Sequence, residues 1–185
     1  MLKLIGLCGV AGSGKDTFFT IASEILSKNN VNTLRHSLAL QLKKELSPFL
    51  KEQLNIDPFT ENRDEKTLIR GVMSAWGQLR RKQNSSYWLN SIEKDFDENV
   101  VNFITDVRYE NEVDYIHNKG GTVLYIERFD KNMNIIAPAN LDEEMFTMPL
   151  KAKSNNTIKW NTVEPFNINN PDIHSIVLNA LKQLF

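Results

Sequence analysis

The residues best placed to do chemistry open the chain: Gly9-Val10-Ala11-Gly12-Ser13-Gly14-Lys15-Asp16-Thr17, with the spacing G-x-x-x-x-G-K. A short apolar run, Leu2 to Leu7, precedes this loop, and a segment of helical apolar spacing, Lys15 to Ser27, follows it. In a strand-loop-helix turn of this kind successive backbone N–H groups bind phosphate oxygens, and the helix adds the positive end of its dipole. Gly9, Ala11, Gly12, Ser13 and Gly14 would form the cradle, and Lys15 would supply a point charge for the β- and γ-phosphates. Asp16 follows the lysine directly, where such loops usually carry Ser or Thr, so Thr17 is the candidate hydroxyl for magnesium. Asp16 either orients water around the metal or favours the first helical turn.

A second group lies at Phe103-Ile104-Thr105-Asp106-Val107-Arg108, where an apolar run delivers a carboxylate and a guanidinium together. Asp106 can hold magnesium through water or bind an acceptor hydroxyl, and Arg108 can grip an acceptor phosphate with two parallel hydrogen bonds. A plain ion pair at the end of a strand is the competing reading. Arg70, Arg80 and Arg81 share a polar middle segment with Trp76 and Trp88, a combination suited to phosphate and a flat base, or else to a solvated helix with packed tryptophans. Lys43 is a weaker acceptor-side candidate, and Arg128, past a β-branched run, can reach ATP.

These groups need a scaffold of alternating strands and helices. Strands are expected at Leu2–Leu7, Val31–Ser37, Val100–Thr105 and Thr122–Ile126. Helices are expected at Lys15–Ser27, at Leu38–Leu50 ending near Pro48, around Leu68–Leu79, from Glu112 to Asn118, and at Asp172–Leu184. Gly120-Gly121 suits a helix C-cap. The pattern predicts an α/β three-layer fold, a mostly parallel sheet of about five strands with helices on both faces. Residues 1–185 read as one domain, with 57–90 as an acceptor-binding helical segment. Residues 129–171, rich in Asn and Pro, resist assignment and are a candidate lid.

Composition narrows the function classes. The 185 residues carry a formal charge of −1, so nothing global marks a nucleic-acid binder. The single cysteine, Cys8, lies in the first apolar run and reads as core filler, which fits a reducing cytoplasm. His36, His117 and His174 stand apart, without zinc-ligand spacing. No run is long enough for a membrane span.

Taken together, Gly12 to Thr17, the stretch Trp76-Gly77 through Arg81 to Tyr87-Trp88, and Asp106-Val107-Arg108-Tyr109-Glu110-Asn111-Glu112-Val113 leading to Gly120-Gly121 resemble the bacteriophage-type deoxynucleoside monophosphate kinases, a branch of the P-loop kinases. The resemblance covers residues 1–128. It implies ATP and Mg2+ as cofactors, a deoxynucleoside monophosphate as acceptor, a part for Glu112 beside the acceptor, and a monomer or homodimer acting on small nucleotides. Two departures stand out. Leu38-Ala39-Leu40-Gln41-Leu42-Lys43 lacks the family's carboxylate, and no His-x-Ser-Glu element appears between Phe129 and Pro171. A P-loop kinase for phosphomevalonate or dephospho-coenzyme A, and a non-catalytic nucleotide-binding module, are the alternative readings.

Overall fold

The structure, a computed structural model, describes residues 3–162 and 167–184. Leu2 of the expected first strand, and residues 163–166 of the unassigned stretch, lie outside the described residues. The chain falls into two compact units: Met1–His36 with Phe96–Phe185, and Ser37–Asp95.

The first unit is built on a parallel sheet. Its strands are β1 (Lys3–Cys8), β2 (Thr33–His36), β3 (Val101–Val107), β4 (Thr122–Phe129) and β5 (Asn156–Asn161), in spatial order β2-β3-β1-β4-β5. The inner strands β1, β3 and β4 are buried along nearly their whole length, as parallel strands covered on both faces must be. Edge strand β5 alternates, with Ile158 and Trp160 buried and Lys159 exposed. That short alternation, flanked by asparagines, hid it from the apolar-run criterion, so the 129–171 stretch contains a strand that sequence reasoning missed.

Helices α1 (Lys15–Lys28) and α6 (Pro171–Lys182) cover one face, where Phe18, Ile21, Val177 and Leu181 meet Ile5, Leu7, Phe103 and Ile126. Gly6 points to the opposite face, and a Cβ there would run into Ile116 of α5 (Glu110–Asn118). Gly6 is therefore what lets α5 lie close to the sheet. Gly120 takes a left-handed φ of 74° just past α5, as the paired glycines led one to expect. Between β4 and β5 the chain forms a π-helical turn, Glu143–Thr147, and a 3₁₀ turn, Met148–Ala152.

The second unit holds α2 (Leu38–Leu54), α3 (Arg63–Gln83) and α4 (Tyr87–Glu93). Side chains of Ser37 and Asn62 cap the first two. Contrary to expectation, α2 does not stop near Pro48 but continues to a left-handed Asn55. Leu50, beyond the proline, is fully buried against Leu46, Ile56 and Ile69, and this burial offsets the one backbone hydrogen bond a proline forfeits. No helix among the described residues is long and apolar enough to cross a membrane.

Candidate functional site

The loop between β1 and α1 is shaped by its glycines. Gly9 has φ 137° and Gly14 φ 98°, values that side chains rarely adopt. A Cβ at Gly9 would strike the carbonyl of Ile126, and one at Gly14 would strike the Trp160 indole. Trp160 also donates through Nε1 to the Ser13 carbonyl at 2.8 Å, so β5 braces the turn. Unlike α2, α3 and α6, helix α1 has no side-chain cap, because its N-cap is Gly14. The first-turn amides of a helix have no intrahelical acceptor and favour an anion.

The Lys15 ammonium donates to the carbonyls of Gly9 at 2.6 Å and Val10 at 2.8 Å. Burial lowers its pKa, and the Arg108 cation lowers it further. The loop already holds one carboxylate: the Ala11 amide donates to both oxygens of Glu143, at 3.0 Å each. A carboxylate thus sits where the loop is expected to hold phosphate oxygens.

Three further sequence-predicted groups meet at this end of the sheet. β3 pairs with β1 such that Val107 lies opposite Cys8, which brings Asp106 and Arg108 level with the start of the loop. Asp106 lies within β3, one residue beyond the expected strand end, and is half-buried. Arg128 lies within β4, which also runs further than expected, and its guanidinium comes near Gly12. Arg128 Nε is buried with no hydrogen-bond partner, a donor awaiting an acceptor beside the loop.

Arg108 is exposed, and its position is fixed from two sides. Its backbone N–H donates to Glu112 Oε2 at 2.7 Å, and that of Tyr109 donates to the same oxygen at 3.1 Å. Glu112, 1% exposed, therefore caps α5 and holds the turn carrying Arg108. This differs from the substrate-touching part expected of it. Arg108 Nη1 lies 3.7 Å from Glu143 Oε1.

Thr17 sits half-buried in the first turn of α1. Asp16 is paired with Arg35 of β2, which also donates to Thr105 Oγ1 at 3.2 Å and stands over Phe19. This pairing ties the helix start to the sheet, a part that neither role read from the sequence includes. Thr17 and Asp106 offer hard oxygen donors of the kind magnesium prefers. Among the described residues no group of three or more His, Cys, Asp or Glu converges as a metal site. That donor set suits an ion carried largely by phosphate oxygens and water. Glu143 and Arg35 had escaped sequence reasoning. Glu143 lies in a stretch without periodicity, and no local spacing links either residue to the loop.

The remaining candidates belong to the second unit. Arg80 donates through Nε at 2.7 Å, and through Nη2, to the single Glu45 oxygen Oε1, and its guanidinium lies 4.8 Å from the ring centroids of both Trp76 and Tyr87. Lys43 stands over Phe59, Arg70 is exposed and Arg81 half-buried. Trp88 is 3% exposed and donates to the Gly77 carbonyl at 3.3 Å, so it packs the core of this unit instead of offering a face to a ligand.

A family model for phosphomevalonate kinase matches residues 7–122, which hold the loop, the Asp106–Arg108 strand end and the α5 cap. That model is not one of the deoxynucleoside monophosphate kinases. A search of curated proteins gives no match. Solved structures similar in fold include a shikimate kinase from Bacteroides thetaiotaomicron, at 15% identity and TM-score 0.49, covering 100% of this chain and 99% of that one. Another is a shikimate kinase from Aquifex aeolicus, at 16% identity and TM-score 0.48, covering 98% and 95%. An APS kinase from Mycobacterium tuberculosis aligns at 13% identity and TM-score 0.41, covering 98% and 97%. With most of its length under one family model, and a P-loop at the head of a five-stranded parallel sheet, the chain belongs to the phosphomevalonate kinase family of P-loop kinases.

Proposed function

We propose that the protein transfers the γ-phosphoryl group of ATP to the phosphate of a small phosphomonoester, with a deoxynucleoside monophosphate as the acceptor. The observation that carries this reading is the convergence of Lys15, Arg108 and Arg128 on a loop whose Ala11 amide already binds a carboxylate.

In this reading the loop amides and Lys15 hold the donor's β- and γ-phosphates, and the ammonium exchanges the carbonyls of Gly9 and Val10 for phosphate oxygens. Arg128, beside Gly12, neutralises charge on the transferred group. Arg108 aligns the acceptor phosphate, whose oxygen forms the new bond to the γ-phosphorus while the bond to ADP breaks. No side chain has to act as a strong base, since the attacking phosphate is already an anion. Magnesium, held by Thr17 and by Asp106 through water, would supply further charge neutralisation.

The deoxynucleotide is favoured by the motif resemblance carried by residues 12–17, 76–88 and 106–121. Phosphomevalonate is the second reading, favoured by the family model and by the burial of Trp88, which removes one aromatic from recognition. A coupled assay of ADP release separates them. The panel is the four deoxynucleoside monophosphates, their ribose counterparts and phosphomevalonate, each with ATP and magnesium. Turnover with one or more deoxynucleotides and none with phosphomevalonate is expected. Turnover with phosphomevalonate alone would replace the first reading by the second.

A further inference from the structure

Glu143 is an ionisable side chain only 3% exposed, in a turn whose neighbours Leu141, Met145 and Phe146 are all exposed. A buried carboxylate needs partners, and three donors surround this one. Ala11 N–H reaches both oxygens at 3.0 Å, Ala139 N–H reaches Oε2 at 3.0 Å, and Arg108 Nη1 stands at 3.7 Å. The Glu143 amide in turn donates to Asn140 Oδ1 at 2.9 Å, which fixes the turn from which the carboxylate projects. Thr147, one turn on and also buried, donates to the Arg108 carbonyl at 3.5 Å. Two of the three carboxylate partners, Ala11 and Arg108, belong to the transfer site.

Resting on the reading of this loop as the donor site, we infer that Glu143 is a positioning residue that holds the loop as an anion surrogate and must leave before donor phosphates seat. Two negative groups cannot share the Ala11 amide at close range without strong repulsion. Donor phosphates therefore displace the carboxylate. Its departure frees the Ala139 amide and removes the negative partner from Arg108, so that the guanidinium meets the acceptor phosphate with its charge unspent. The turn between β4 and β5 thereby reports to the acceptor arginine whether the donor has bound.

The test is equilibrium binding of ADP with magnesium, and of inorganic tripolyphosphate, to the wild type, Glu143→Gln and Glu143→Asp, with thermal melts of each. Glu143→Gln keeps the shape and removes the charge, so ADP is expected to bind about three- to tenfold more tightly, tenfold being about 1.4 kcal/mol. Glu143→Asp keeps the charge and should return toward wild type. Equal or weaker ADP binding by a cooperatively melting Glu143→Gln would overturn the inference and leave Glu143 a structural tie.

Should that variant not fold, amide hydrogen exchange on the wild type decides. Tripolyphosphate is expected to protect Ala11 and to expose Ala139, and an Ala139 amide that stays protected would overturn the proposal. Donor binding with this exchange pattern but no phosphorylation of any acceptor would refute the kinase reading and leave the inference standing. Absence of ADP and tripolyphosphate binding by all three proteins would overturn both.

Discussion

Lys15 carries a charge that its surroundings tolerate poorly. Burial, then the neighbouring Arg108, lowers its pKa from the ordinary 10.5, and two carbonyls hold the ammonium. The sign of the linkage follows. Donor phosphates favour the charged form, so at pH values between the lowered pKa and 10.5 the complex takes up a proton that the free protein lacks. ADP affinity is expected to fall as pH rises through that window. Calorimetric titrations in two buffers of different ionisation enthalpy would show it as an alkaline proton uptake that Lys15→Ala abolishes. The same substitution should cut turnover by about two to three orders of magnitude with the fold intact, as loss of a preorganised electrostatic contact does. Undiminished turnover in Lys15→Ala would mean that the loop is not the donor site.

Elements matter here through the turns they hold. Glu112 joins the end of β3 to the start of α5, accepting from the amides of Arg108 and Tyr109. Glu112→Ala is expected to cost about 1–2 kcal/mol of stability, as loss of a helix cap does. It should also raise the acceptor KM more than the ADP Kd, because the turn it releases carries Arg108 and not the loop. Equal effects on both would make Glu112 a general stability residue.

The elements also show what sequence makes visible. β1, β3, β4 and α1 were legible because strands buried on both faces leave unbroken apolar runs and a helix with one apolar stripe leaves a periodic one, and with them came the loop, Asp106, Arg108 and Arg128. β5 was not, because an edge strand buries only Ile158 and Trp160. The run of α2 past Pro48 was hidden because a tertiary contact, Leu50 in its core, overrides a local breaker. Glu143 was out of reach for a different reason: its partner Ala11 is 132 residues away, and no local pattern encodes that contact.

For the whole molecule, the sheet unit is tightly closed around the strand that leads into the loop. Cys8, fully buried there, has its thiol pKa raised by burial from 9.0 to about 12. A group whose folded pKa is raised contributes stability that is complete below its unfolded pKa and is lost as pH rises through the folded one. Stability should therefore decline between pH 9.0 and about 12 through this one thiol. At neutral pH the folded thiol should resist alkylation, and its labelling rate should rise in step with unfolding in urea. Fast labelling of the native protein would show that β1 opens on its own.

Phosphoryl transfer from a donor in the β1–α1 loop to an acceptor phosphate is the claim on which the molecule's proposed role stands. Its most direct test follows the label from γ-³²P-ATP in the presence of magnesium and each acceptor in turn. Label recovered in the β-position of a deoxynucleoside diphosphate, and lost in Lys15→Ala, is the predicted result. Label that remains in ATP or appears only as free phosphate with every acceptor would contradict it.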